Sequence, residues 1–197
     1  MGRHLVCVTF DFDAISGWIA RGMTSPSPIS RGEFGPNVAL PRILDLLKKH
    51  DVPTSWYVPG HTLETYPDQC RQVFDAGHEI GHHGWTHRPP ASLSREEEEM
   101  ELARANENIR RLTGRTARGY RSPSWDLSEH SVELLLKHGF VYDSSMMGDD
   151  YTPYRVRSTP VTIPGRRPVP TARAMAIGTA SAGCSERGES VRKPVRN

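Results

Sequence analysis

Two acids and two histidines define the chemistry open to this chain. Thr9-Phe10-Asp11-Phe12-Asp13-Ala14 closes an apolar run, and His83-Gly84-Trp85-Thr86-His87 stands far downstream. Neutral imidazole and carboxylate suit a borderline divalent ion, and three such ligands leave coordination positions open for water and substrate. The remaining acid is then free to take a proton. Each residue alone has a duller use. Asp is a common turn residue after a strand, and a His-x-x-x-His spacing fits one helix face without any metal. It is the combination that points to a hydrolytic metal site.

Such residues need elements that carry distant segments to one place. Apolar, β-rich runs recur at 5–10, 54–58, 78–82, 118–121, 140–143 and 160–164. Helical patterns separate most of them. Residues 38–50 put Ile43, Leu44, Leu46 and Leu47 on one broad apolar face, and 68–76 stops at Gly77. A capping box of Ser94 and Glu97 opens a long acidic helix that runs to Thr113 and stops at Gly114. Ser128 caps a fourth helix, which ends at Gly139. This alternation predicts a mostly parallel α/β sheet, open or closed into a barrel. Asp11 and Asp13 then end the first strand, His83 and His87 follow the third, Arg121 ends the fourth and Asp143 the fifth. All fall at carboxyl ends, where barrels and open α/β sheets build their active sites. The Gly-, Ser- and Pro-rich connection 15–36 is expected to be either a lid or rim loop over that site, or disordered.

Over about residues 5–160 the chain resembles the polysaccharide deacetylase family, the NodB homology domain of carbohydrate esterase family 4. Four segments carry the resemblance in order: Thr-Phe-Asp-Phe-Asp-Ala at 9–14, Gly-His-Glu-Ile-Gly-His-His-Gly-Trp-Thr-His at 77–87, Gly-Tyr-Arg-Ser-Pro-Ser-Trp at 119–125, and Tyr-Asp-Ser-Ser at 142–145. The resemblance implies an α/β fold, a NodB-type distorted (β/α) barrel, here incomplete at the C-terminus. It implies a metal-dependent hydrolase of non-peptide amide C–N bonds that deacetylates N-acetylated glycans. Asp11 becomes the catalytic base, Asp13, His83 and His87 the metal ligands, and Arg121 the arginine that holds the base. A bound divalent ion acidifies its water and polarises the amide carbonyl, while an unligated carboxylate takes the water's proton. Zinc is the first expectation from ligand type, and cobalt, nickel or iron fit the same donors. Tyr120 and Trp125 are expected to line a sugar-binding cleft, with core packing as the alternative. Asp143 holds a loop or a charged partner. His78 and His82 read as structural, His82 standing where the family usually has asparagine.

Two departures from the family pattern open other readings. Phe12 separates the two acids, as in a branch with peptidoglycan-deacetylase-like and allantoinase-like members, so a hydrolase of small cyclic amides is the alternative enzyme. The family's late Leu-x-x-His-Pro motif, source of a general-acid histidine, is missing, and no histidine follows residue 150. A truncated, catalytically impaired member is therefore the third reading.

Length and composition bound the rest. The 197 residues suit one domain. Residues 1–164 carry 18 basic and 21 acidic side chains, whereas 165–197 carry seven and two with no aromatic. The expected division is a deacetylase-like domain over 1–164 and a disordered or non-native basic tail over 165–197. A mildly acidic body without a basic stripe offers no footprint for nucleic acid. No stretch is long and apolar enough to span a bilayer, and no secretory h-region opens the chain. Cys7, Cys70 and Cys184 cannot all pair with one another and include no Cys-x-x-Cys. A reduced, cytoplasmic protein is the expectation.

Overall fold

A computed structural model describes residues 6–149, 152–156 and 175–177. The first half of the chain runs β1 (Val8–Asp11), α1 (Ser16–Ile19), α2 (Pro26–Phe34), α3 (Leu40–His50), β2 (Thr54–Val58), α4 (Gly60–Thr65), α5 (Pro67–Asp75) and β3 (Glu79–His82). It continues with α6 (Arg95–Thr113), β4 (Gly119–Tyr120), α7 (Ser131–Lys137), β5 (Tyr142–Asp143), β6 (Tyr154–Val156) and β7 (Met175–Ile177). The expected strand at 160–164 lies outside the described residues. So does the segment 165–197, apart from β7.

The strands form one sheet in the order β1-β2-β3-β4-β5-β7-β6, parallel except for the β6–β7 pair. Parallel neighbours joined through helices make this the half-barrel of a distorted (β/α) barrel. Its register lines up the strand ends: Asp11 pairs with Tyr57, Val58 with His82, His82 with Tyr120, and Tyr120 with Asp143. One rim therefore carries every motif identified in the sequence.

β2 is buried along its whole length, and its alternating side chains explain why. Trp56 and Val58 join Leu47, Leu63, Val73, Ile80, Leu102 and Ile109 in the core beneath the helices. Ser55 and Tyr57 point to the opposite face. There Ser55 and Tyr142 both donate to Glu79, at 2.6 and 2.9 Å, so that face is polar but satisfied.

The connection 15–36 is mostly helical, which corrects the expectation of a rim loop or disorder. Pro26 occupies the first turn of α2, where its fixed φ is an asset and its missing N–H costs nothing. Gly32 is a contact glycine, since a Cβ there would lie 2.8 Å from Ile15 Cα. Pro36 cannot donate to the helical ladder, and the chain passes it in a wider π-turn, Gly35–Ala39, that leads directly into α3.

α6 begins as its sequence dictates. The Ser94 hydroxyl accepts the Glu97 N–H at 3.2 Å and the Glu97 carboxylate accepts the Ser94 N–H at 2.9 Å, while Gly114 ends the helix at φ +80°. Glu98, 3 % exposed, accepts the hydroxyls of Ser128 and Ser131 and so ties α6 to α7. The N-cap of α7 is His130, which corrects the expected cap at Ser128; the Ser128 hydroxyl instead accepts the N–H groups of His130 and Ser131 in the turn before the helix. No helix among the described residues is long and apolar enough to cross a membrane.

Candidate metal centre and active site

Asp13 lies two residues beyond β1 in a turn that its own backbone anchors. Its carbonyl accepts the Ser16 N–H at 2.9 Å and the Thr62 hydroxyl at 2.8 Å. Ala14 follows at φ +49°, a left-handed conformation that turns the chain sharply after the acid. The carboxylate faces two imidazoles. His83 Nε2 lies 3.4 Å from Oδ1, and His87 Nε2 lies 3.2 Å from Oδ2. One donor atom from each of the three residues falls within 4.8 Å of the others.

The chemistry of these donors fits a divalent ion. His83 is 1 % exposed, and its Nδ1 donates to the Arg121 carbonyl at 2.7 Å. That bond fixes the tautomer, so Nε2 turns its lone pair toward Asp13. Burial holds His83 below the usual imidazole range although Asp13 and Asp11 pull the other way, so the ring is neutral at pH 7. Burial alone would raise Asp13, but the His87 hydrogen bond and both imidazoles outweigh it and hold the carboxyl below its ordinary value. Asp13 Oδ1 is buried with no hydrogen-bond partner. A buried carboxylate oxygen without a hydrogen-bond partner, set beside two imidazoles, is a donor set that suits a divalent ion.

The second acid is held quite differently. Asp11 Oδ1 accepts the Arg121 Nη1 at 2.7 Å. Arg121 Nη2 donates to Thr9 Oγ1 at 2.9 Å and to Ser144 Oγ at 2.6 Å, and the guanidinium lies 4.1 Å above the Tyr57 ring. The arginine is 8 % exposed and fixed on every side. Asp11 keeps its other oxygen for a different partner, and its side chain is 29 % exposed. One carboxylate therefore belongs to the imidazoles, while the other is oriented by an arginine and open to a reacting molecule.

Asp143 is fully buried below this pair. Its carboxylate accepts the N–H groups of Ser145 and Met146 and the Ser145 hydroxyl, at 2.7 to 3.2 Å. Burial pushes its carboxyl up against those bonds. The turn it stabilises carries Ser144 to Arg121, and the Ser145 hydroxyl accepts the Ser122 N–H at 2.7 Å.

The two aromatics part company. Tyr120 is 1 % exposed, its ring packed against His82 and Phe140, and it offers no surface to a glycan. The core-packing alternative describes it. Trp125 is 56 % exposed on a strained rim turn, with Ser124 at φ +58° and Trp125 itself at φ +55°. Two consecutive non-glycine residues in the left-handed region mark a turn its surroundings impose. His82 and His78 are both buried. Sequence reasoning gave no role to Thr9, Tyr57 or Ser144. Thr9 had a legible signal, because it stands two residues before Asp11 on the same face of one strand.

Comparison with known proteins finds relatives over most of this chain. The family model described as polysaccharide deacetylase matches residues 33–142, which include His83, His87 and Arg121. The chain is 46 % identical over 155 residues to the peptidoglycan deacetylase of Helicobacter pylori, covering 78 % of this chain and 53 % of that protein. A crystal structure from Mycobacterium smegmatis classed with the polysaccharide deacetylases superposes with a TM-score of 0.74 at 31 % identity, covering 87 % of this chain and 56 % of the other. An allantoinase structure superposes with a TM-score of 0.70 at 20 % identity, covering 89 % and 61 %. At that identity the likeness concerns the fold alone. The chain spans about half the length of the curated relatives it matches.

Proposed function

Because this chain belongs to the polysaccharide deacetylase family, we propose that it is a metal-dependent hydrolase that removes acetyl groups from N-acetylated glycans of the peptidoglycan type. The observation that carries the reading is the division of labour between the two acids. Asp13 faces His83 and His87 with a bare oxygen, while Asp11 is presented by Arg121 with an oxygen free.

Asp13, His83 and His87 would hold the ion, and zinc suits this carboxylate and imidazole set best. When bound, a divalent ion supplies an acidified water and a Lewis acid for the acetyl carbonyl. Asp11 takes the proton of the attacking water on its free oxygen and hands it to the glycan nitrogen as the C–N bond breaks. Arg121 keeps that carboxylate at one angle throughout, through a charge-assisted bond that does not have to reorganise during the reaction. The Arg121 carbonyl fixes the orientation of His83, so one residue aligns the base and a ligand together. Trp125 is the platform on which a sugar ring stacks, with its indole at the rim four residues beyond Arg121.

The test is a substrate profile of the purified, zinc-loaded chain. Acetate release from N-acetylglucosamine oligomers or peptidoglycan fragments, with no ring opening of cyclic ureides, is the expected result. Turnover of cyclic ureides without acetate release from glycans would transfer the chain to the small-amide branch. Trp125→Ala is expected to raise KM for an oligomer by about tenfold while kcat changes little, since stacking on an aromatic contributes on the order of 1 kcal/mol or somewhat more.

A further inference from the structure

We propose that Glu101, on α6, is a positioning residue that holds the loop carrying His83 and His87 in its metal-binding shape. The inference rests on the reading of those histidines as ligands and extends it to a residue from another element.

The loop between the two histidines is strained. Gly84 has φ +69° and His87 has φ +63°, so a bulky side chain occupies a backbone region that such residues rarely enter. Strain of this kind persists only where the surroundings dictate it, and the partners here can be named. The Gly84 N–H donates to His82 Nδ1 at 3.1 Å, and its carbonyl accepts the Gly60 N–H at 3.0 Å. The Trp85 carbonyl accepts the His61 N–H at 2.9 Å. Glu101 takes the Trp85 N–H and the Thr86 hydroxyl. Oε2 accepts from Trp85 N at 3.1 Å, and Oε1 accepts from Thr86 Oγ1 at 3.1 Å. The two oxygens of one carboxylate thus grip Trp85 and Thr86, the two residues that separate Gly84 from His87.

A plainer role for Glu101 is a partner for Arg88, whose Nη1 lies 3.9 Å from Oε1. That arginine side chain is 41 % exposed, whereas Glu101 is 15 % exposed, and a long, solvated ion pair contributes little. The backbone bond to Trp85 is shorter, better shielded and directed at the loop. A loop already shaped for the ion spends nothing on ordering when the ion binds, so loss of the clamp appears as loss of metal affinity.

The test is metal binding to the full chain, measured by chelator competition with Zn²⁺ and Co²⁺, with the visible spectrum of bound Co²⁺ reporting ligand geometry. Glu101→Ala is expected to weaken binding by about 10- to 100-fold and to alter the Co²⁺ bands. Glu101→Gln is expected to stay within about threefold of wild type with an unchanged spectrum, because its oxygen still accepts from Trp85 and its amide can donate to Thr86. That rescue separates positioning from simple charge attraction, since a Gln variant as weak as the Ala variant overturns the proposal. Thr86→Val cuts one of the two bonds and is expected to lie between them, on the order of fivefold weaker and so outside the range expected for Glu101→Gln. Wild-type affinity and spectrum in Glu101→Ala overturn the proposal, and Thr86→Val decides in its place if the Ala variant does not fold. His87→Ala runs alongside. If it binds as tightly as wild type, the ligand reading itself fails, an outcome distinct from a failure of the clamp.

Discussion

Arg121 and Asp11 meet across 110 positions of sequence, and the arginine serves the site from both of its ends. Its guanidinium holds Asp11, the proposed base, and its backbone carbonyl accepts from His83 Nδ1. These two roles separate under mutation. Arg121→Lys keeps a charge but loses the planar fork that reaches Asp11, Thr9 and Ser144 together. A lost charge-assisted bond of about 1.5 to 3 kcal/mol corresponds to turnover lower by roughly 10- to 100-fold. Metal affinity should stay within about threefold, because any residue supplies the carbonyl that His83 needs. Parallel loss of metal and turnover would contradict this separation. His78 offers a pH test away from the ligands. It is 8 % exposed, its Nδ1 is buried without a hydrogen-bond partner, and burial holds its pKa below the ordinary value of 6.5. The folded state therefore resists a proton that the unfolded chain accepts, so stability is intact above about pH 6.5 and falls as the pH drops below it. Thermal melts at pH 7.5 and 5.5 should show a smaller acid loss for His78→Gln than for wild type; equal losses would remove this residue from the account. The meeting of the acids and the two histidines was legible because unlike donors stood beside strand ends. Ser144 and Glu101 were not, since they act through contacts 23 and about 15 residues away that leave no local pattern.

At the scale of elements, sequence reading succeeded where a local signal decides the structure. The five residues of β2 and both ends of α6 emerged as read, since an apolar run fixes the first and a capping box and a glycine fix the second. It failed across 15–36, where glycine, serine and proline content was taken for a loop. Proline in a first helical turn and glycine at a close helix contact are compositionally the same but structurally opposite. Removing the cap with Ser94→Ala should cost about 1 kcal/mol, or a Tm lower by roughly 2 to 4 °C in a chain of this size, without changing metal stoichiometry. An unchanged melt would show that α6 is held by tertiary packing alone. Gly60 is more demanding, because a Cβ there would lie 2.3 Å from the Trp85 ring and 2.9 Å from Ala105. Gly60→Ala should therefore destabilise by about 1 to 3 kcal/mol. It should also weaken metal binding, as Trp85 belongs to the ligand loop. Stability loss with unchanged metal affinity would uncouple that loop from α4.

The molecule as a whole brings residues from the ends of five strands to one rim because these parallel strands are in register and their carboxyl ends face the same way. An ion bound there holds β1 and the β3 loop together, and any ligand that prefers the folded state raises its stability. A metal ion at 100 times its Kd adds about 2.7 kcal/mol, so Tm should rise by roughly 5 to 10 °C on zinc addition, reverse with chelator, and not move in His87→Ala. The central claim joins metal to base, and one comparison reaches both. Acetate release from N-acetylglucosamine oligomers is measured for zinc-loaded chain, chelator-stripped chain and zinc-loaded Asp11→Asn, with bound metal quantified in each by mass spectrometry. The account predicts near-stoichiometric zinc in wild type and in Asp11→Asn, turnover in wild type alone, and a loss of about 100- to 10,000-fold in the variant. Full turnover in the stripped chain, or in Asp11→Asn, would contradict it.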